Sequence, residues 1–217
     1  MKFNKILRIS VISALAAAVL SSAAAAASYT DDADKLFKLG LFKGTENGYE
    51  LDKTFTRAEA ATMLTRLLAK ESAALTAPVE KIFDDVPAEY WAASYVKYCY
   101  NNSITKGTGD KMYSPEASIS GAEYMTLVMR ALGYVNAEPE NVDLVAAEYG
   151  LVSSREARQL VLEAELSRDK MVHISYCALS VKEPDDKKLI EKLISEKAVD
   201  KNIAESLGLL KTNKFEL

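Results

Sequence analysis

The stretch Phe55-Thr56-Arg57-Ala58-Glu59, running directly into Ala60-Ala61-Thr62-Met63-Leu64-Thr65-Arg66-Leu67-Leu68, decides the architecture. It is built as a helix start. Thr56 can cap the helix, and Glu59, three residues on, can reach back to the cap amide, the reciprocal pattern of a capping box. Ala60, Met63, Leu64, Leu67 and Leu68 then fall at helical spacing on one face. One residue is out of place. Arg57 stands at the first helical position, where a cation opposes the helix dipole and is mildly unfavourable. Something other than helix stability therefore accounts for it. A helix N-terminus with free amides and an arginine beside it is a candidate anion site.

The stretch recurs, and internal repeats decide architecture. Ile119-Ser120-Gly121-Ala122-Glu123 lies 64 residues further on, followed by Leu127, Val128, Ala131 and Leu132 in the apolar places. Ser120 and Glu123 again form a capping box. A third copy is Leu166-Ser167-Arg168-Asp169-Lys170. There Ser167 can cap, but Lys170 stands where the glutamate should be. Upstream of each copy runs a shorter helical segment: Ala33 to Leu39 closed by Gly40, Tyr90 to Tyr100 with Asp85 or a neighbour as its cap, and Val142 to Tyr149 closed by Gly150. Each unit is helix, loop, helix. The loops of the first two units, Gly44 to Tyr49 and Gly107 to Tyr113, are polar and glycine-bearing. In the third, Ser153-Ser154-Arg155-Glu156 is itself a capping pattern and predicts an extra helix. Ser72 to Lys81, with Pro78, and Asn136 to Asn141, with Pro139, read as linkers. Beyond Val181 come a helix over Lys187 to Lys197 and a last one over Lys201 to Leu207, capped by Asp200 and ended by Gly208. A charged tail follows from Thr212.

The chain has 217 residues. Its first 27 have a basic start (Lys2, Lys5, Arg8), an apolar run and an alanine-rich end with an A-x-A site near Ala25-Ala26-Ala27, which is the pattern of a secretory signal peptide. No cysteine follows the apolar run closely enough for a lipoprotein anchor, and no membrane span is expected after cleavage. Cleavage after Ala27 leaves 190 residues with 24 basic and 31 acidic side chains, a net charge of −7. An acidic exported protein is a poor nucleic-acid binder. Two cysteines, Cys99 and Cys177, make no disulfide scaffold. They could pair, but their helical, aromatic-rich surroundings favour buried free thiols.

Phe83-Asp84-Asp85-Val86, then Trp91, Gly107, Tyr113, Pro115 and Ile119-Ser120-Gly121-Ala122-Glu123 resemble the S-layer homology repeat. Its outline is F-x-D-V, a tryptophan, a glycine-rich loop, an aromatic residue and proline, and an I-T-R-A-E helix start. Phe55-Thr56-Arg57-Ala58-Glu59 matches the last element closely. The resemblance implies an all-α fold. Three helix-loop-helix repeats stand in a pseudo-threefold arrangement around a central three-helix bundle, with C-terminal helices added. The divisions expected are a signal peptide over 1–27, repeats over 28–71, 80–135 and 140–181 (the third degenerate), and C-terminal helices and tail over 184–217. It also implies non-covalent binding to secondary cell-wall polysaccharide, often pyruvylated, with the motif arginine contacting the acidic sugar. A pyruvyl ketal carries a carboxylate, which suits a guanidinium fork.

The ligand-binding residues expected are Arg57, Arg168, Trp91, Gly44 and Gly107. Each has a plainer role beside it. The arginines could pair with a neighbouring unit's carboxylate, Trp91 could be a core anchor, and the glycines could serve turn geometry. Thr56, Glu59, Asp85, Ser120, Glu123 and Ser167 are expected as structural caps. Gly121 occupies the second arginine position, so the groove it serves should be weak or vacant. Arg57→Ala is expected to leave the fold intact and weaken binding. His173 and Cys177 lie four apart on one helix and could touch, but no nucleophile elbow or oxyanion loop accompanies them. No H-E-x-x-H, P-loop, dinucleotide fingerprint or EF-type loop is present, so neither cofactor nor metal is expected. The sequence thus reads as an exported binding module of the cell wall or S-layer, not an enzyme. Its rivals are a degenerate module that grips an envelope protein and, more remotely, a small secreted hydrolase.

Overall fold

The computed structural model describes residues 29–210 apart from Val79; the expected signal segment and the tail from Thr212 lie outside the described residues. Ten helices run along them: α1 (Thr30–Lys38), α2 (Arg57–Leu67), α3 (Glu71–Thr76), α4 (Ala93–Asn101), α5 (Gly121–Ala131), α6 (Val142–Glu148), α7 (Ser154–Leu160), α8 (Arg168–Ala178), α9 (Leu189–Ser195) and α10 (Lys201–Ser206). No strand forms among the described residues, only isolated bridges. The fold is all-α.

The three motif helices start as their sequences require. Thr56 Oγ1 accepts from the Glu59 amide and Ser120 Oγ from the Glu123 amide, and each glutamate accepts from its cap's own amide. Ser167 caps α8 through the Lys170 amide, Ser153 caps α7 through the Glu156 amide, and Asp200 caps α10. Left-handed residues close other helices. Gly40, Gly150 and Gly208 adopt φ of 74°, 72° and 74°, which lets the residue beyond each turn back onto a carbonyl of the helix.

The residues just before the three caps organise the interior. The Phe55 amide donates to Leu166 O at 2.9 Å, the Leu166 amide to Ile119 O at 2.8 Å, and the Ile119 amide to Phe55 O at 2.9 Å. The three close a ring of backbone hydrogen bonds, and their side chains are buried. Such a ring satisfies groups that would otherwise be orphaned in the core. Helix α5 packs against both α2 and α8, and Tyr124 of α5 meets Ser175 of α8 at 2.7 Å.

The packing pairs are not the sequence pairs. Helix α4 packs on α2, α6 on α5, and α1 on α8, so each unit lends its upstream helix to another unit's motif helix. The first unit closes on the third. Two expectations change. The segment expected as a linker after α2 contains α3, held by buried Ala74 and by Glu71, which accepts from Lys43, Arg66 and Tyr95. Asp85 is not a helix cap. Helix α4 starts later, after Ala92, without a side-chain cap, and the Asp85 carboxylate instead accepts from the amides of Tyr113 and Ser114 at 2.9 and 2.7 Å. Two amides converging on one carboxylate satisfy it better than a single cap contact, and they tie Phe83-Asp84-Asp85-Val86 to the second loop.

Candidate functional site

Arg57 is only 5 % exposed. Its Nε donates to Tyr113 O at 2.8 Å and its Nη1 to Glu123 Oε1 at 2.7 Å, and the guanidinium lies over the Tyr113 ring. Arg168 repeats the arrangement at the next joint. Its Nε donates to Tyr49 O at 3.0 Å and its Nη1 to Glu59 Oε1 at 2.9 Å. Each motif glutamate thus has two duties. One oxygen closes the capping box of its own helix, and the other holds the arginine of a neighbouring unit. This accounts for a cation at the first helical position: the carboxylate at 2.7–2.9 Å offsets the adverse dipole.

The amides at these helix starts are not free, contrary to expectation. Those of Arg57 and Ala58 donate to Ala117 O and Pro115 O, and those of Arg168 and Asp169 to Lys53 O and Leu51 O, at 2.8–3.0 Å. Loop carbonyls of the neighbouring unit fill the place an anion would take. The helix amides at these two starts therefore offer no free donors to an anion.

A cavity of ≈ 70 Å³ opens beside Arg57, lined among others by Lys106, Gly107, Glu123, Arg130 and Pro139. Gly107 sits on its wall with φ 79°, and a Cβ there would come within 2.5 Å of Met112 O and of the Phe83 ring. Gly44, its counterpart, would put a Cβ 2.9 Å from Gly48 O. Both glycines are demanded by the turn and its packing. Trp91 is 55 % exposed, so it is not a core anchor. It stands beside Tyr90, whose hydroxyl donates to Glu116 on the loop that covers the start of α2. Burial and the Glu116 carboxylate push the Tyr90 phenol up to about 12, so it stays a neutral donor.

The third joint is built differently. At Gly121 a Cβ would lie 2.0 Å from Leu160 O, so the end of α7 occupies the space of the missing arginine. Lys170, in the glutamate position, pairs with Glu163. A cavity of ≈ 400 Å³ lies here too, lined by Tyr29, Glu156, Gln159, Leu160, Leu162, Glu163 and Lys170, with acids outnumbering bases.

Four further residues escaped the sequence reading. Lys106 and Arg130 share the carboxylate of Glu138, while Lys43 and Arg66 share that of Glu71. The signal was present but unused. Lys43-Gly44-Thr45 and Lys106-Gly107-Thr108 repeat, and Arg66 and Arg130 stand at the same place in their helices.

His173 and Cys177 do touch, with Sγ 3.6 Å from Nε2. The imidazole is committed elsewhere: Nδ1 meets Asp32 at 2.7 Å and Nε2 meets Glu156 at 2.8 Å, with Tyr29 stacked on the ring. Burial, then the charges of Asp32 and Glu156, push the Cys177 thiol up to about 12, and burial does the same to Cys99. Neither supplies a thiolate near neutrality. Both cysteines are free.

Residues 82–125 match the family model of the S-layer homology domain. That match spans the second unit, from before Phe83 to Met125 within α5. The chain is 40 % identical over 101 residues to the middle cell wall protein of Brevibacillus brevis, which covers 46 % of this chain and 10 % of that protein. It is 39 % identical over 101 residues to the surface layer protein of Brevibacillus choshinensis, covering 46 % and 9 %. A cellulosome-anchoring protein of Acetivibrio thermocellus is 31 % identical over 93 residues, covering 43 % and 19 %. This chain spans a small part of the length of each of these relatives. No helix among the described residues is long and apolar enough to cross a membrane.

Proposed function

We propose that this S-layer homology protein resides at the cell surface and holds non-covalently to an acidic secondary cell-wall polysaccharide. The grooves at the Arg57 and Arg168 joints take the polymer. The observation that carries this reading is the repeated constellation at those joints. A buried guanidinium is fixed by a neighbour's glutamate and a tyrosine carbonyl, beside a lysine-glycine loop. Fixing Nε and Nη1 orients the fork in advance, and Nη2 makes no hydrogen bond among the described residues, so a ligand carboxylate is the partner it lacks. Trp91 adds an exposed ring on which a sugar can stack. The backbone ring through Phe55, Ile119 and Leu166 supports a pseudo-threefold arrangement of the three units. The named relatives support envelope anchoring rather than catalysis as its role.

The test is retention of the purified protein on cell-wall sacculi before and after the secondary polymer is stripped. Stripping should release the protein, and Trp91→Ala should weaken retention with the fold unchanged. Equal retention on stripped and unstripped sacculi would overturn the reading and favour an envelope protein as the partner.

A further inference from the structure

The first two units share a three-residue device. A lysine just before the loop glycine (Lys43, Lys106) and an arginine late in the motif helix (Arg66, Arg130) close on one glutamate from the segment that follows (Glu71, Glu138). The two copies differ in how firmly that glutamate is held. Glu71 has a third donor, the Tyr95 hydroxyl at 3.0 Å, and its side chain is 22 % exposed. Glu138 has the two cations alone and is 41 % exposed. Its hydrogen bond from Lys106 and the charge of Arg130 hold its carboxyl below the usual range, so it stays an anion. Arg130 is anchored separately, through Nε to Ala137 O at 2.9 Å, so it does not depend on Glu138 for its position.

Lys106 and Arg130 line the same cavity as Arg57. We infer that Lys106 and Arg130 form a second anion subsite in the Arg57 groove, self-occupied by Glu138, which an incoming ligand anion must displace. The inference deepens the polysaccharide reading and rests on it for the identity of the natural ligand. Its consequence is selectivity. A weakly acidic or neutral sugar gains nothing by displacing a resident carboxylate, whereas a strong acid group on the polymer replaces it on equal terms. Glu71, more buried and held by three donors, is a fixed strut and leaves no such exchangeable site.

The probe is sulfate, titrated at low ionic strength into the purified protein while side-chain resonances of Lys106 and Arg130 are followed by NMR. Glu138→Gln should bind sulfate at least tenfold more tightly than the wild type, with shifts centred on those two residues. Adding Lys106→Ala should abolish the gain, and Glu71→Gln should show none. Glu138→Asp, which keeps the charge but withdraws it by one methylene, should bind sulfate with intermediate affinity. Equal sulfate affinity in the wild type and in both Glu138 variants would overturn the subsite. So would a gain in Glu138→Gln that survives Lys106→Ala. Sacculus retention separates the two ideas. A sulfate gain with no polymer-dependent retention sinks the polysaccharide reading and leaves the subsite standing.

Discussion

The Arg57 joint and the Gly121 joint occupy equivalent places between units, and they are built differently. At the first, an arginine reaches a neighbour's glutamate at 2.7 Å. At the other, the arginine has become Gly121, the glutamate has become Lys170, and the carbonyl of Leu160 fills the gap. Losing one member of a buried pair leaves the other uncompensated and is costly, whereas losing both together can be nearly neutral. The third joint has lost both. It is therefore a rebuilt contact rather than a damaged site, and the extra helix α7 is what rebuilt it.

Four measurements bear on that comparison. The largest effect is expected from Gly121→Arg, which tries to restore the motif. Even its Cβ would meet a backbone oxygen at 2.0 Å, so the end of α7 must move. A loss of about 3 kcal/mol or more is expected by urea denaturation, and wild-type stability would show that α7 is not what closes this joint. Next is Arg57→Ala. The sequence alone suggests a harmless change on a helix start, but the structure leaves Glu123 and Tyr113 O without their donor. The expected loss is about 2–3 kcal/mol, below the fully buried figure because Glu123 is partly exposed. A loss under about 0.5 kcal/mol, the usual size of a surface change, would mean the pair is not structural.

Third is the Glu71 strut. Burial pushes its carboxyl up, but hydrogen bonds from Lys43, Arg66 and Tyr95 outweigh this and hold it at about 2. A depressed carboxyl contributes stability above its unfolded value of 4.5, and that contribution is lost as pH falls from there toward 2. The contribution is about 2–3 kcal/mol after allowance for partial exposure. Glu71→Gln should lower stability at neutral pH and flatten the acid limb of the stability profile; an unchanged limb would assign it to other carboxylates. The smallest effect is expected from Lys170→Glu, which sets two acids together at the third joint. It should cost about 0.5–1 kcal/mol and less at high salt. A gain in stability would show that Glu163 is not Lys170's working partner.

What could be read from the chain depended on distance along it. The caps at Thr56, Ser120, Ser153, Ser167 and Asp200 are settled within four residues, and all five form as their sequences require. Asp85 looked the same by composition but acts on an amide 28 residues away. Glu59 and Glu123 were legible as box residues, yet their second oxygens serve arginines 109 and 66 residues distant. Trp91 could not be placed, because one aromatic residue in an apolar run carries no sign of which face it takes.

That Phe55-Thr56-Arg57-Ala58-Glu59 begins a helix, that the unit recurs, and that Arg57 needs a reason beyond helix stability can all be read along the chain. Repeat spacing, capping chemistry and apolar period are local or periodic properties, so they survive in one dimension. The partner of Arg57, the filling of its neighbouring amides and the closure of α1 on α8 emerge only in the folded molecule. Those facts depend on which loop of which unit arrives beside the helix start, and that is fixed by the backbone ring through Phe55, Ile119 and Leu166, not by any single stretch.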